Sequence, residues 1–550
     1  MNIAMTNLGA TDGTTTVPRV FAARADRFPD KAIIRVTRDG RALTYSELMA
    51  AAEAGSTRLR REFKIERGMT AAIFLPNRLS FVQSWFSSLF AGLVDIPLNY
   101  EFKKETLRFG LAATDARVVF TDASGAERLL DEDVRSCLSA LRLIVLTDAA
   151  DPAPIVDALR SYPVRPQVTS LETLIAPGPQ GHVWEELRTT DLASIRFTSG
   201  TTGSPKGIMH SHAHMLNKSA NHVRALEYTS ADILYSPFPL HHSLASTMGM
   251  MATIQVGGTM ISSPRFSASR YWDEAKWSNA TVGHILFPLI PTLLAQPPRD
   301  TDRTHSIRHL WTAWPHREFE SRFNTKLIQI YALAEIGLVA YQRGGLDESS
   351  RSVGKPLPHI EVQIVDDLDC SLPVGGQGEI TLRPREPHHV MIGYYDNLPA
   401  TMRAFRNLWL HTGDRGFIDD KGELHFVGRI GDTIRRRGVN ISSEQIDEVM
   451  LRHRNVRECA AIGVPSELGE DDIKAFVVWH RAPTNLDAAI DELAEFMQAH
   501  LPKQYVPRYI EIAEELPRTN TGKFRKTELR ERVSSAPVWD RESRSWVAPK

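Results

Sequence analysis

An α/β fold built from several domain-sized units is what this 550-residue sequence predicts, and three observations carry the prediction. Short apolar runs of strand length, at 69–75, 117–120 and 143–146, alternate with segments of helical period through the first part of the chain. A run of glycine and hydroxyl residues, 197–207, stands between a half-apolar strand-like segment and a helix-like one. Near residue 430 the pattern changes: Gly428, Gly431, Gly438 and the basic cluster Arg435, Arg436 and Arg437 separate apolar segments. Roughly a hundred residues follow with a helix and strand alternation of their own, enough for a small separate α+β domain.

Taken in order, residues 1–16 hold few apolar side chains and several threonines and glycines, the composition of a loose arm, and order is expected from Val17. In Leu43-Thr-Tyr-Ser-Glu-Leu48 a serine precedes an apolar helical pattern and marks a helix start. The run at 69–75 ends in Pro76 and Asn77, a strand followed by a turn. Residues 81–98 are interrupted by Gln83, Ser84, Ser87, Ser88 and Asp95, so they predict a packed helix and a strand rather than a membrane span. The Pro, Ala and Asp content of 149–180 reads as a surface connection. Beyond it come a strand over 192–197, a helix over 208–220 and a strand over 327–330. Segments 444–451, 460–464, 475–479, 488–501 and 509–512 then alternate helix and strand.

Charged residues make up 24% of the chain and cancel to a formal net charge of -1. No global field draws in nucleic acid or an acidic membrane, and an anionic ligand has to be bound locally. Cys137, Cys370 and Cys459 stand far apart without a Cys-x-x-Cys pair, the pattern of reduced thiols rather than of a disulfide framework. The polar N-terminus carries no charged-then-apolar leader. A soluble cytoplasmic protein with no nucleic-acid and no membrane partner is the expectation.

Phe197-Thr-Ser-Gly-Thr-Thr-Gly-Ser-Pro-Lys-Gly207 has no side chains able to build a core. Its glycines let successive backbone N–H groups converge on an anion, with the hydroxyls and Lys206 as further donors, so it reads as a phosphate grip; a flexible linker is the alternative. The spacing fits neither Gly-x-x-x-x-Gly-Lys-[Ser/Thr] nor Gly-x-Gly-x-x-Gly. Tyr331-Ala-Leu-Ala-Glu335 offers a carboxylate just past a strand end, suited to Mg²⁺ at a triphosphate, and a ring able to stack on a base; a solvated glutamate is the plain alternative. His411-Thr-Gly-Asp414 puts an acceptor-only carboxylate in a glycine-containing turn, where it takes both hydroxyls of a ribose or simply closes the turn. Pro517-Arg-Thr-Asn-Thr-Gly-Lys-Phe-Arg-Lys526 sets Lys523 in a turn, either as part of a solvated basic tail or as a lysine presented to chemistry. A metal reading of His210, His212 and His214, or of His388 and His389, lacks a third ligand, and packed or surface histidines are expected.

In their order these stretches resemble the adenylate-forming superfamily of acyl-CoA synthetases, peptide-synthetase adenylation domains and luciferases. The first is similar to its phosphate-binding signature, which implies that Thr198, Ser199, Gly200, Thr201, Thr202, Gly203 and Lys206 hold ATP. Tyr331 and Glu335 match its Tyr-Gly-x-Thr-Glu motif, with Ala332 and Ala334 in place of glycine and threonine. Thr412-Gly413-Asp414 and Gly428-Arg429 resemble its ribose motifs, and 517–526 resembles the Pro-x-x-x-x-Gly-Lys motif whose lysine enters the site during adenylation. Weaker likeness at 43–48, 239–242, 353–356 and 376–379 extends over nearly the whole chain.

The resemblance implies a large N-terminal domain of several subdomains, residues 1–430, that binds AMP and the acid. A smaller mobile α+β C-terminal domain, 431–550, would swing between half-reactions about Gly431. His242 falls where the family places a histidine or aromatic beside the acid, and Trp314 falls where it usually carries a small residue; the Trp314 ring either closes the pocket or packs outward. The implied function is an AMP-forming acid:CoA ligase acting on a small or medium carboxylic acid with ATP, Mg²⁺ and CoA, with Lys523 and Glu335 catalytic and Glu335 the metal ligand. Alternatives are a carrier protein as acceptor, an unusual acid such as nitrite, and a catalytically silent nucleotide-binding regulator, against which the retained Lys206, Glu335, Asp414, Arg429 and Lys523 speak.

Overall fold

The computed structural model describes the chain apart from residues 1–11, 38–39, 149–152, 161–163, 179–182, 198–205, 287–288, 313–315, 344–351, 437–438, 467–470, 519–523, 533–535 and 549–550. Its contacts divide into two compact units, one of Met1–Thr198, Lys206–Glu361 and Pro384–Arg403, the other of Ser199–Pro205, Val362–Arg383 and Ala404–Lys550. No helix among the described residues is long and apolar enough to cross a membrane.

In the first unit the alternating apolar runs become two eight-stranded sheets. One is ordered Gly393–Tyr394, Gly207–Ser211, Leu192–Phe197, Val94–Pro97, Thr70–Phe74, Val118–Asp122, Leu143–Thr147 and Gln167–Ser170, parallel from Leu192–Phe197 onward. The other is ordered Gly337–Arg343, Lys326–Leu333, His309–Thr312, Val282–His284, Ile233–Ser236, Thr259–Ser262, Ala32–Val36 and Ala42–Thr44, with antiparallel strands only at its two edges. Strand periodicity shows how they stack. Ala71 and Ile73 point into one core and Ala72 and Phe74 into another, and in the second sheet Leu234 and Trp311 share the first core while Tyr235 and Leu310 enter a third. The shared core therefore lies between the sheets, filled by the helices Val17–Arg27, Tyr45–Arg61, Leu79–Phe90 and His212–Leu226. Burial on both faces is why the parallel strands read as continuous apolar runs.

Three local expectations change. The helix at 43–48 is capped by Thr44, not by the serine: Thr44 and Glu47 form a reciprocal capping box, and Ser46 lies inside the first turn. The stretch 149–180 is not only a connection, since it contributes the helix Ala153–Arg160, the strand Gln167–Ser170 and the helix Leu171–Ile175. Its strand sits at a sheet edge, which removes the need for an apolar run. The expected helix over 208–220 begins only at His212, because Gly207–Ser211 pairs antiparallel with Leu192–Phe197 and Ser211 supplies the N-cap.

The second unit holds the antiparallel strands Gly378–Pro384, Leu410–Ile418 and Leu424–Arg429 and the hairpin of Thr433–Arg436 with Val439–Ser442. A five-stranded sheet follows, ordered Val456–Pro465, Asp471–Trp479, Tyr509–Ile512, Val538–Asp540 and Ser545–Val547. Alternation again gives it two apolar faces: Cys459, Ala461, Ala475 and Val477 pack on the helix Leu486–His500 side, and Ala460, Ile462, Phe476 and Val478 on the other.

Candidate active site

The strands that flank residues 198–206 are antiparallel, with Phe197 opposite Gly207, so this stretch leads from strand to strand rather than from strand to helix. Thr198, Ser199, Gly200, Thr201, Thr202 and Gly203 lie outside the described residues. Lys206 is described, and its ammonium stands 5.0 Å from the centre of the Tyr394 ring. Gly207 has no room for a side chain, since a Cβ there would come 2.8 Å from Ile195. The backbone after the lysine is thereby held close to its neighbours.

Tyr331 and Glu335 belong to the hairpin of Lys326–Leu333 and Gly337–Arg343. Tyr331 is buried on the first strand and Glu335 sits in the turn, so the carboxylate follows a strand end as expected. The turn is held from three sides. Lys218, from the helix His212–Leu226, donates its Nζ to the Ala334 carbonyl at 2.8 Å. Met391 N–H donates to the Glu335 carbonyl at 2.7 Å, and the Tyr394 hydroxyl donates to Glu335 Oε1 at 2.9 Å. The other carboxylate oxygen takes no hydrogen bond from the described residues, and a half-buried hard oxygen of this kind fits a Mg²⁺ ion that keeps most of its waters.

Every residue of His212–Leu226 except Arg224 is buried, although the helix carries several polar side chains. Each burial needs a partner. Asn217 reaches the His388 carbonyl at 3.0 Å, Asn221 meets His359 at 3.1 Å, and His222 meets His284 at 3.0 Å. His210 and His214 face each other at 2.9 Å, and burial holds both well below the usual histidine range. These histidines are packed, in line with expectation, and none belongs to a group of three potential metal ligands among the described residues. Burial, reinforced by Arg196, pushes the Lys218 amine down to about 7, while Glu335 pulls it back up.

Sequence reasoning treated Asp95 only as an interruption of an apolar run. In the structure it is fully buried, accepts from Ser194 Oγ at 3.0 Å and pairs with the buried Arg196 at 3.5 Å. Burial raises its carboxyl to about 6 against the pull of Arg196. Arg196 in turn donates to Ser246 Oγ at 2.8 Å and to the His241 carbonyl at 3.3 Å. It thus anchors the segment that carries His242, whose Nδ1 accepts from Leu244 N–H at 3.2 Å and whose carbonyl accepts from Ser246 N–H at 3.1 Å. The charged residue within the apolar run was the signal available for this pair. Trp314 lies outside the described residues.

In the second unit Asp414 is not in a turn but on the strand Leu410–Ile418, directly opposite Arg429 on Leu424–Arg429. The buried carboxylate meets Arg429 Nε at 2.8 Å, and Arg429 Nη1 also donates to the Thr412 carbonyl at 3.0 Å. Thr412 Oγ1 accepts the Asp414 N–H at 3.0 Å and donates to the Ile380 carbonyl at 2.7 Å. Gly413, at φ +69°, is the residue that makes the motif resemble a turn. Its N–H donates to Glu379 Oε1 at 3.0 Å, and Glu379 Oε2 is shared by His411 at 2.9 Å and Arg406 at 3.0 Å. With Asp369 bound to Arg406 as well, one guanidinium neutralises both carboxylates near His411. Lys523 lies outside the described residues, and Gly431 lies in the 3₁₀ turn Ile430–Asp432, where a Cβ would meet no atom within 4 Å.

The chain matches the family model of AMP-binding enzymes over residues 21–395 and that of the AMP-binding enzyme C-terminal domain over 445–523. Among curated relatives, the crotonobetaine/carnitine–CoA ligase of Shigella sonnei (strain Ss046) is 28% identical over 477 residues, covering 85% of this chain and 89% of that one. The fold is similar to that of the anthranilate CoA ligase AuaEII in complex with anthranoyl-AMP, at a TM-score of 0.82 and 22% identity over 95% of this chain and 98% of that one. It is also similar to ATP-bound MatB from Rhodopseudomonas palustris, at a TM-score of 0.78 and 24% identity over 94% and 99%. With the family model covering more than half of its length, the chain belongs to the family of AMP-binding enzymes, the adenylate-forming, ATP-dependent ligases that its motifs resemble.

Proposed function

We propose that this enzyme is an acid:CoA ligase that activates a small or medium carboxylic acid as its adenylate and passes the acyl group to CoA. The observation that carries the reading is that Lys206, Tyr331, Glu335, Asp414, Arg429 and Lys523 are all retained in a chain whose curated relatives, over 85% of its length, are CoA ligases by name. In the first half-reaction a carboxylate oxygen of the acid bonds to the α-phosphorus of ATP as the bond to pyrophosphate breaks. In the second, the CoA thiolate attacks the acyl carbonyl and AMP leaves.

Each proposed role follows from the chemistry of its side chain. Thr198, Ser199, Gly200, Thr201, Thr202, Gly203 and Lys206 donate to the outer phosphates, and Tyr331 offers its ring to adenine. Asp414, held by Arg429, accepts the ribose hydroxyls. Glu335 is the ligand for Mg²⁺, which when bound draws off negative charge from the phosphate oxygens. Lys523 neutralises the charge that builds up between the attacking carboxylate and the phosphate. His242 and Trp314 stand beside the acid. The division into 1–430 and 431–550, with a pivot at Gly431, belongs to the same proposal, as does a cytoplasmic location where ATP and CoA are supplied.

Mass spectrometry of products from a panel of acids, nitrite included, with ATP and with or without CoA, tests the reading. Acyl-CoA formed from a carboxylic acid together with AMP is the expected result. Adenylates that never become thioesters point to a carrier protein as acceptor, turnover with nitrite alone to an unusual acid, and nucleotide binding without adenylates to a silent regulator.

A further inference from the structure

The segment Met391-Ile-Gly-Tyr-Tyr395 is remote in sequence from both the phosphate stretch and Glu335, yet it is tied to each. Ile392 N–H donates to the Met209 carbonyl at 3.0 Å and Tyr395 N–H to the Gly207 carbonyl at 2.7 Å, which fastens it to the strand that leaves the phosphate stretch. Met391 N–H, on the opposite side, donates to the Glu335 carbonyl at 2.7 Å. Between these anchors stands Tyr394, buried, its own N–H held by Thr401 Oγ1 at 2.9 Å. Its hydroxyl donates to Glu335 Oε1 at 2.9 Å and its ring centre is 5.0 Å from Lys206 Nζ. One side chain therefore touches two groups of opposite charge, and no ion pair joins Lys206 to Glu335 among the described residues.

We propose that Tyr394 is a positioning residue for adenylation, aiming the Glu335 carboxylate through its hydroxyl and the Lys206 ammonium through its ring. The aromatic face satisfies the lysine without a counter-ion, and the phenol satisfies one carboxylate oxygen without a cation. Left to themselves, a lysine and a glutamate this closely served by one ring lower their energy by pairing, which spends the phosphate donor and the metal ligand on each other. Tyr394 keeps both available in fixed directions, and preorganisation of that kind lowers the cost of binding and of reaching the transition state. The inference rests on the proposed roles of Lys206 and Glu335.

Tyr394→Phe removes the hydroxyl and keeps the ring, whereas Tyr394→Leu removes both, and melting curves confirm that each variant is folded. ATP binding is measured by calorimetry in Mg²⁺ and in EDTA, beside kcat and KM. Tyr394→Phe is expected to weaken Mg²⁺-dependent ATP binding about tenfold, the size of one hydrogen bond to a charged group, with affinity in EDTA unchanged within about twofold. In a Glu335→Gln background the same change should cost less than about twofold, because the hydroxyl still finds an acceptor in the amide oxygen but the anionic metal ligand that it aims is gone. Tyr394→Leu should also weaken binding in EDTA, through Lys206. Equal losses with and without metal, an undiminished loss in the Glu335→Gln background, or no loss at all would overturn the assignment to Tyr394 alone. A parent enzyme whose ATP affinity ignores Mg²⁺ would instead overturn the metal role of Glu335, and Tyr394 with it.

Discussion

Replacing Gly337 with alanine tests how tightly the turn that carries Glu335 is held. Gly337 has φ +86°, in the left-handed region where an L-residue is strained by about 1–2 kcal/mol. A Cβ there would also come 2.8 Å from Lys218 Cγ and 3.4 Å from Lys218 Cε. Lys218 has little freedom to retreat, because its helix is buried and its amine is fixed on the Ala334 carbonyl at 2.8 Å. Relieving the contact therefore loosens that hydrogen bond, for about 1 kcal/mol more. With roughly 0.5 kcal/mol returned by the stiffer unfolded chain, the net cost is about 1.5–2.5 kcal/mol, which should lower the melting temperature of the first unit by about 2–3 °C. The KM for Mg²⁺-ATP should rise as the carboxylate moves. The decisive comparison is the same substitution in a Lys218→Ala background, where no long side chain stands in the way and only the backbone strain remains. A coupling of about 1 kcal/mol between the two sites is expected. An unchanged melting temperature, or an equal penalty in both backgrounds, would refute the steric account.

Three further outcomes are expected. Lys523→Ala should abolish adenylate formation while sparing thioester formation from a pre-made adenylate, because its charge is needed mainly in the first transition state; rapid-quench assays of each half-reaction check this, and equal losses would reject the role. Asp414→Asn should raise the KM for ATP roughly tenfold and erase most of the preference for ATP over 2′-deoxyATP, with an intact preference counting against the ribose role. Gly431→Ala should be neutral, since a Cβ meets no atom within 4 Å there, whereas Gly431→Pro should damage one half-reaction and leave the other within about tenfold, or about 1.4 kcal/mol in barrier. Equal rates for both half-reactions in the proline variant would move the pivot elsewhere.

Much of the architecture was legible because it is written in local rules. Continuous apolar runs of strand length such as 69–75 and 143–146 became inner strands of a sheet buried on both faces, and the run at 81–98 became the helix Leu79–Phe90 and the strand Val94–Pro97. The expectations that changed did so where pairing overrides composition. Ile208 and Met209 have neighbours compatible with a helix, yet the hairpin with Leu192–Phe197 makes them a strand. Asp414 looks like a turn residue beside Gly413, yet it pairs across a sheet with Arg429.

The sequence by itself determined the α/β class, the change of pattern near residue 430 and the motif residues Lys206, Tyr331, Glu335, Asp414 and Arg429, since each of these signals is contained in a few adjacent residues. Only the tertiary structure decided what holds those residues. Tyr394 lies 59 positions from Glu335, and Lys218 lies 116 from Ala334. Arg196 reaches Asp95 across 101 positions, and Gly413 reaches Glu379 across 34. A tyrosine beside a glycine, or a lysine within a helix, carries no local mark of its partner. What selects that partner is the requirement that a buried polar group find its complement, and strand order and helix packing settle where the complement stands.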